Sequence, residues 1–229
     1  MRLKLSCKAL LIAILVIAPH QIRAQYLHPR VSGKQARIQN VVIVPARVEI
    51  VRQSMKGPEG MAAESDLLST RVTQLITEAL QAKQIKASIT VPGGDGEADA
   101  KKKYALSDLQ ARYDALLPKI MKKPKDVKKG RFTLGDEILN LNLDQSTDAI
   151  IFVRGQGQKL TSGKKAFSIL TFSLDLPYLL LTIGIVDAHT GEVLVFATPL
   201  AVTDATSQNE KPLRKAIEKS FKKLPAAAP

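Results

Sequence analysis

Residues 179–197, LLLTIGIVDAHTGEVLVFA, decide the fold because they hold two apolar runs separated by a short polar segment. The runs at 179–186 and 192–197 have the length and the β-branched and aliphatic content of strands. Two strands joined by so short a connection must be antiparallel neighbours in one sheet. The sequence therefore predicts an antiparallel hairpin around residues 179–198.

The polar segment of this hairpin contains residues that suit a tight turn. We expect Asp187 to accept hydrogen bonds from backbone N–H groups, and Gly191 to adopt a positive φ at the end of a type I turn. His189 is the one residue there with catalytic or metal-binding chemistry, and only His28 accompanies it after residue 24. We therefore interpret Asp187, Thr190 and Gly191 as a structural turn.

The chain upstream of the hairpin alternates between strand patterns and amphipathic helices. The run VVIV at 41–44 predicts a strand buried on both faces, and the alternation after Pro45 predicts a strand with one solvent-facing side. Apolar residues recur at helical spacing over 61–83, and a second strand pattern follows at 85–91. A strand–helix–strand unit favours a parallel pair. The predicted fold class is therefore α/β, with a single mixed β-sheet, packed helices and one antiparallel hairpin.

The second half of the chain adds two helix patterns and a buried strand. Ser107 begins a capping-box pattern at the start of a helix, and Pro118 is expected to break or kink that helix. The basic run at 122–131 is interpreted as a solvated loop, and AIIFV at 149–153 as a buried strand. Asn209 is the predicted cap of the last helix.

The first 24 residues have the pattern of an export signal. Basic residues precede an apolar run of ten residues at 9–18, which is too short to span a membrane as a helix, and Ala24 precedes the expected cleavage point. An uncleaved N-terminal anchor is the alternative interpretation. We divide the chain into a signal peptide (1–24), a flexible N-terminal segment (25–38), a single α/β domain (39–224) and a disordered tail (225–229). The expected location is the periplasm or cell envelope.

Composition limits the chemistry available to the exported chain. Cleavage near Ala24 removes four of the 34 basic residues, none of the 21 acids and the single cysteine, which leaves a net charge of +9. Disulfides, thiol nucleophiles and thiolate metal sites are then excluded. No set of acid, base, nucleophile or metal ligands converges in the sequence. We therefore assign no catalytic, cofactor-binding or metal-binding residue, and predict that the protein is not an enzyme and carries no cofactor.

The order of these patterns resembles a family of small bacterial envelope α/β domains. The motifs that carry the resemblance are VVIVPA at 41–46, KASITV at 86–91, TDAIIFV at 147–153 and VDAHTGEVL at 186–194, with helices between them. This order is similar to that of the curli-secretion lipoprotein (CsgG-like), the penicillin-binding-protein activator lipoproteins and the N-terminal domain of the TolB translocation protein. The resemblance spans roughly 39–197 and implies an α/β envelope domain. Lipid anchoring is not carried over, because no cysteine follows the export signal.

These observations predict a non-enzymatic binding or assembly factor of the periplasm or cell envelope. The alternative is a membrane-inserting secretion pore subunit, since residues 160–185 are rich in apolar side chains and relatives that resemble the curli channel insert hairpins into the outer membrane. Asp175 and Pro177 within that stretch weigh against insertion. The predicted partner is an envelope protein or an anionic envelope surface, and the oligomeric state stays open.

Clusters of basic residues indicate how such a surface would be contacted. An exported protein meets lipid headgroups, lipopolysaccharide and wall polymers, and this chain has no tryptophan and few aromatic residues for base stacking. We therefore predict a weak, salt-sensitive polyanion contact and no nucleic-acid binding. The residues assigned to that contact are Lys122, Lys123, Lys128, Lys129, Lys215 and Lys219.

Overall fold

The computed structural model describes residues 25–90, 97–164, 166, 176–204 and 209–225. The expected signal peptide, residues 226–229 of the expected tail, and residues 165 and 167–175 of the region assigned to the pore hypothesis lie outside this part of the chain. The described strands belong to one mixed sheet. They are β1 (Gln25–Leu27), β2 (Asn40–Ile43), β3 (Arg47–Ser54), β4 (Gly57–Gly60), β5 (Lys86–Ile89), β6 (Ala149–Leu160), β7 (Tyr178–Asp187), β8 (Val193–Ala197) and β9 (Leu200–Ala201).

The sheet runs in the order β1-β8-β7-β6-β2-β5, with β3 also beside β6, β4 beside β3 and β9 beside β7. β2 pairs in parallel with β5 and with β6, whereas β6, β7, β8 and β1 are joined by antiparallel pairing. The predicted α/β class, the mixed sheet and the antiparallel hairpin are therefore confirmed. A bulge in the β7–β8 pairing lies between Ile185 and Val186.

Strand β6 is the centre around which the sheet is built. Along one of its sides β2 and then β3 pair in parallel, and along the other side β7 pairs over the whole of 149–158. β2 and β3 follow one another along β6 because the chain makes a short break at 44–46 between them. The first five residues of β6 are buried, as their unbroken apolar run predicts.

Helices cover both faces of the sheet. Their bounds are α1 (Pro29–Ser32), α2 (Ala62–Gln81), α3 (Glu97–Lys122), α4 (Lys211–Phe221) and two 3-10 helices, η1 (Pro124–Lys129) and η2 (Asp136–Leu141). α2 and α4 pack on one face, where Val72 and Ile217 are fully buried beside Ile151. α3, η1 and η2 pack on the other face, where Phe152 and Phe196 are buried.

Tyr113 fixes the packing of α3 on its face of the sheet. Its ring stacks on Phe152 with the two ring centroids 4.6 Å apart. The Tyr113 side chain fills the space above Gly184, where a Cβ would overlap the ring. Burial raises the pKa of the Tyr113 hydroxyl, which has no hydrogen-bond partner among the described residues. Gly184 is therefore a glycine because the helix above it approaches closely.

Helix α3 begins at Glu97 rather than near Ser107, and it continues through Pro118. The predicted cap and the predicted break are therefore wrong. The proline costs one hydrogen bond to the carbonyl four residues earlier. That cost is offset because Tyr113 and Ile120, on either side of the proline, are fully buried against the rest of the protein.

Two segments that were expected to be irregular are ordered. The basic run at 122–131 contains η1, whose Val127 is fully buried, so it is not a solvated loop. The segment 25–38 was expected to be flexible, and instead it pairs with β8 as β1 and buries Val31 and Ile38. In both cases a few apolar side chains anchor a stretch whose composition is otherwise polar.

Three hydroxyl side chains tie α2 to the side of β3 that faces away from β6. Ser65, Ser69 and Thr73 lie one above another on the helix, and each donates to the carbonyl four residues earlier. Their oxygens also accept hydrogen bonds of 2.9, 2.9 and 3.0 Å from three backbone N–H groups, those of Ile50, Val48 and Ala46. We call this set the hydroxyl ladder. The hydroxyl ladder thus supplies hydrogen-bond acceptors to three backbone N–H groups that do not pair with a described strand.

Residues 160–185, which the pore hypothesis assigns to a membrane, are described in part. Leu160 ends β6 and is buried, and β7 lies in the middle of the sheet between β6 and β8. Leu179, Leu181 and Ile183 of β7 are buried in the core beneath α2. Within the described ranges, no helix has both the length and the apolar character needed to cross a membrane.

Candidate functional site

The β7–β8 turn is held by hydrogen bonds to one carboxylate. Asp187 Oδ1 accepts from the backbone N–H groups of His189 and Thr190, at 2.9 and 3.0 Å. The N–H of Gly191 donates to the carbonyl of Asp187 at 3.1 Å, and Gly191 has a φ of +69°. Asp187 and Gly191 thus take the turn roles expected of them, and His189 is exposed at the tip.

The same turn is packed against two other segments. A Cβ on Gly191 would overlap the carbonyl oxygen of Gly135, and Thr190 Oγ1 lies 3.4 Å from Glu192 Oε2. Arg30 Nη1 lies 2.6 Å from Glu192 Oε2 and 3.1 Å from the buried Asp187 carboxylate. The hydrogen bond to Glu192 raises the pKa of Arg30 above its usual value. This corner is a junction between the hairpin, α1 and the segment before η2.

His28 is a structural residue of this junction. Its Nδ1 accepts a hydrogen bond of 3.2 Å from the backbone N–H of Arg30 and so caps the short helix α1. Its side chain is buried, and Gly130 lies so close that a Cβ there would be 2.6 Å from His28 Nε2. His28 Nε2 is 4.0 Å from a Glu192 carboxylate oxygen. Both histidines of the described chain therefore have places in turns or caps.

The lysines predicted to contact a polyanion lie on opposite faces of the sheet. One group lies at the end of α3 and in η1, on the face that α3 covers; it consists of Lys122, Lys123, Lys128 and Lys129. Lys215 and Lys219 are exposed on α4, on the other face. The two groups do not form one patch on a single face.

Members of both lysine groups nevertheless lie near the same edge strand. Lys128 Nζ lies 6.0 Å from the centroid of the Tyr26 ring in β1. Lys215, Lys219 and Gln25 line one cavity of about 300 Å³ between α4 and β9. We call the six lysines, with β1 between them, the basic rim. β1 is an end strand of the sheet, so the rim follows one edge of the molecule.

A groove that the sequence did not predict lies where α3 ends over the sheet. It has a volume of about 440 Å³, and its floor is formed by β3, β6 and β7. Arg47 and Arg154 are direct neighbours in the parallel β3–β6 pairing, and Asp114 of α3 stands over them. The alternation after Pro45 correctly predicts that Arg47 lies on a solvent-exposed face of its strand. It gives no register, and so it does not show that Arg154 is the neighbour of Arg47.

The two arginines of the groove differ in their exposure and in their contacts. Arg154 is 13 % exposed and donates to both carboxylate oxygens of Asp114, at 2.5 and 3.1 Å. Arg47 is 55 % exposed, and its Nη1 is 3.8 Å from Asp114. Its other terminal nitrogen donates to Gln110 Oε1. Arg47 is therefore the more accessible of the two guanidinium groups.

Metal-binding chemistry has no assembled ligand set in the part of the chain that is described. No group of three histidine, cysteine, aspartate or glutamate side chains there could hold a metal ion.

Comparison with known proteins gives distant structural likenesses. No family model matches this chain, and no curated protein matches it. The PelC dodecamer from Paraburkholderia phytofirmans is similar at a TM-score of 0.44 with 12 % identity, over 90 % of this chain and 98 % of that chain. A methionine variant of that PelC dodecamer is similar at a TM-score of 0.42 with 13 % identity, over 89 % of this chain and 98 % of that chain.

Proposed function

We propose that the protein is an exported, non-enzymatic binding or assembly factor of the bacterial cell envelope that attaches to an anionic envelope surface through its basic rim. The observation that carries the proposal is the position of the six lysines. They come from opposite faces of the sheet, and members of both groups, Lys128 on one face and Lys215 and Lys219 on the other, lie near one end strand, β1. The export signal expected at residues 1–24 supplies the location.

The rim is suited to weak electrostatic attachment. Residues 122–131 contain six basic residues and one acid, Asp126, which is engaged by Lys129 and Arg131 at 3.4 and 3.5 Å. The buried Val127 anchors the backbone of this stretch, so only the lysine side chains have to be ordered on binding. Exposed charges beyond a Debye length are screened, and the contact should therefore weaken steeply with salt.

Sedimentation with purified envelopes tests the proposal. We expect the protein to sediment with envelopes at about 0.1 M salt, where the Debye length is ~10 Å, and to be released at about 1 M, where it is ~3 Å. Replacement of Lys122, Lys123, Lys128 and Lys129 by glutamate should abolish most of the low-salt sedimentation. Equal sedimentation of this variant and the wild type would contradict the assigned role of these lysines.

A matched control separates the rim from the overall charge. Glutamate at Lys56, Lys86, Lys102 and Lys103 changes the net charge by the same amount at exposed positions away from β1. Lys86 lies on β5, at the opposite end of the sheet. We expect this variant to sediment like the wild type. Thermal melting of both variants, and glutamine versions of both, exclude unfolding as the cause of any loss.

The non-enzymatic part of the proposal has its own test. Crosslinking in intact cells, followed by purification, should recover an envelope protein or envelope polymer bound to this chain. Stoichiometric conversion of a small molecule, with no macromolecule bound, would contradict it. His28 caps α1 and His189 stands at a turn tip, which supports a structural role for both.

The pore alternative stays a prediction with a test of its own. It requires that residues 160–185 leave their present contacts, because β7 is buried between β6 and β8. Conductance across planar lipid bilayers would support a pore. A monomeric purified protein without conductance would remove it.

A further inference from the structure

The groove beneath the end of α3 arranges its side chains in rows across three strands. Arg47 of β3, Arg154 of β6 and Thr182 of β7 form one row, as the registers of the two strand pairs show. Glu49, Gln156 and Leu180 form the next row along the strands. All six line the groove. Positive charge therefore lies in one row, and the next row holds a carboxylate.

One acid and one arginine in these rows remain open to a ligand. Glu49 is exposed, and its carboxylate makes no ion pair or hydrogen bond within the described residues. Arg47 is 55 % exposed; its Nη2 donates to Gln110 Oε1, while its Nη1 lies beyond hydrogen-bond distance of Asp114 and can take a ligand. Asp114 is itself anchored by two hydrogen bonds to Arg154. The accessible charges of the groove are thus one guanidinium and one carboxylate.

The spacing of the two backbone positions that carry these charges is fixed by the strand. Arg47 and Glu49 are two residues apart on the same face of β3, which places their Cα atoms roughly 6.6 Å apart. Two arginines and two acids make the groove neutral as a whole. A neutral ligand with an anionic group at one end and an ammonium group at the other matches both the spacing and the neutrality.

The remaining lining sets the shape of such a ligand. Leu117, Pro118 and Met121 of α3 form an apolar wall beside the two charges. This wall can cover a short methylene chain between the charged ends, since apolar contact favours burial of aliphatic groups. An arginine fork binds a carboxylate in a bidentate manner, whereas an ammonium is a point charge that pairs with Glu49.

We propose that the groove binds a small zwitterion of the ω-amino-acid type, with its carboxylate on Arg47 and its ammonium on Glu49. The site is separate from the basic rim, and it adds a small-molecule ligand to the proposed attachment function. The ion pair between Arg154 and Asp114 joins the floor of the groove to α3. The apolar wall covers the methylene chain.

Calorimetric titration of the full chain with three probes of similar size tests this site. The probes are γ-aminobutyrate, butyrate, which lacks the ammonium, and butylamine, which lacks the carboxylate. We expect γ-aminobutyrate to bind about tenfold more tightly than either of the others, because it makes both charged contacts. Glycine, whose two charges are too close together, should bind no better than butyrate.

Two variants separate the two ends of the ligand. Arg47→Gln should reduce binding of γ-aminobutyrate and butyrate by about tenfold and leave butylamine unchanged. Glu49→Gln should reduce binding of γ-aminobutyrate to the level of butyrate. Both side chains are exposed, so both variants should melt at the wild-type temperature.

Arg52→Gln is the matched control for these titrations. Arg52 lies on the same strand as Arg47, is an odd number of positions away and therefore faces the other side, where it pairs with Glu59. Equal binding of the three probes would overturn the inference, as would a loss in Arg52→Gln as large as that in Arg47→Gln. The lysine variants of the rim should bind γ-aminobutyrate as the wild type does. The titrations therefore test the groove independently of whether the protein attaches to envelopes.

Discussion

At the scale of single residues, Gly191 shows how far a sequence pattern can be taken. The turn motif predicts a positive φ at this position, and the structure has φ at +69°. The sequence could not show that Gly135, far away in the chain, lies directly against it. Backbone conformation is local and was predictable, whereas the close approach depends on how two segments meet.

Replacement of Gly191 by valine should therefore destabilise the protein by roughly 1–3 kcal/mol, because a β-branched residue is strained at positive φ. Overlap with Gly135 places the loss towards the upper end of this range. Chemical denaturation measures the free energy of unfolding. Gly60→Val is the control, since a Cβ at Gly60 meets nothing within 4 Å. A Gly191 variant as stable as the Gly60 variant would mean that the turn can be built another way.

At the scale of elements, the hydroxyl ladder explains why α2 and β3 stay together. The apolar stripe over 61–83 predicts the helix and its buried face, and the structure places α2 at Ala62–Gln81. Serine and threonine at four-residue spacing gave no signal for their role, because their partners are backbone groups of another element. The predicted break at Pro118 was wrong for a related reason. Residues on both sides of the proline are buried by packing against other elements, which the local sequence does not show.

Ser69→Ala should destabilise the protein by about 1–2 kcal/mol, because the N–H of Val48 loses its acceptor in a partly buried place. Thr70→Ala is the matched control. Thr70 lies next to Ser69 on α2, is exposed and donates only to the carbonyl of Asp66. Thermal unfolding of the two variants gives the comparison. A Thr70 variant that loses as much stability as the Ser69 variant would show that helix propensity, not the ladder, is responsible.

At the scale of the whole molecule, the sheet order places residues together that the sequence keeps apart. The sequence predicted the class of fold and the hairpin, but it carries no signal for strand order or register. Strand order brings β1 to the edge, between η1 and α4, and register makes Arg47 and Arg154 neighbours. The rim and the groove are consequences of these two properties.

If one flat anionic surface contacts the molecule along β1, lysines from both faces must contribute. Glutamate at Lys215 and Lys219 should therefore weaken sedimentation in part, less than the variant at Lys122, Lys123, Lys128 and Lys129 does, and the combined variant should lose it completely. Glutamate at Lys56 and Lys86 serves as the control for the pair on α4. A wild-type result for the Lys215 and Lys219 variant would restrict the contact to the face that carries η1.

The pairing of β1 with β8 also joins two positions that are far apart in the sequence. Gln25 pairs with Ala197, so β1 finds its neighbour only when the two ends of the described chain come together. β6, which joins the two halves of the sheet, also lies late in the sequence, at residues 149–160. Contacts between such distant positions slow folding, because a large loop must close before any pairing energy is gained. The edge that carries the rim therefore depends on the longest loop closure of the described sheet.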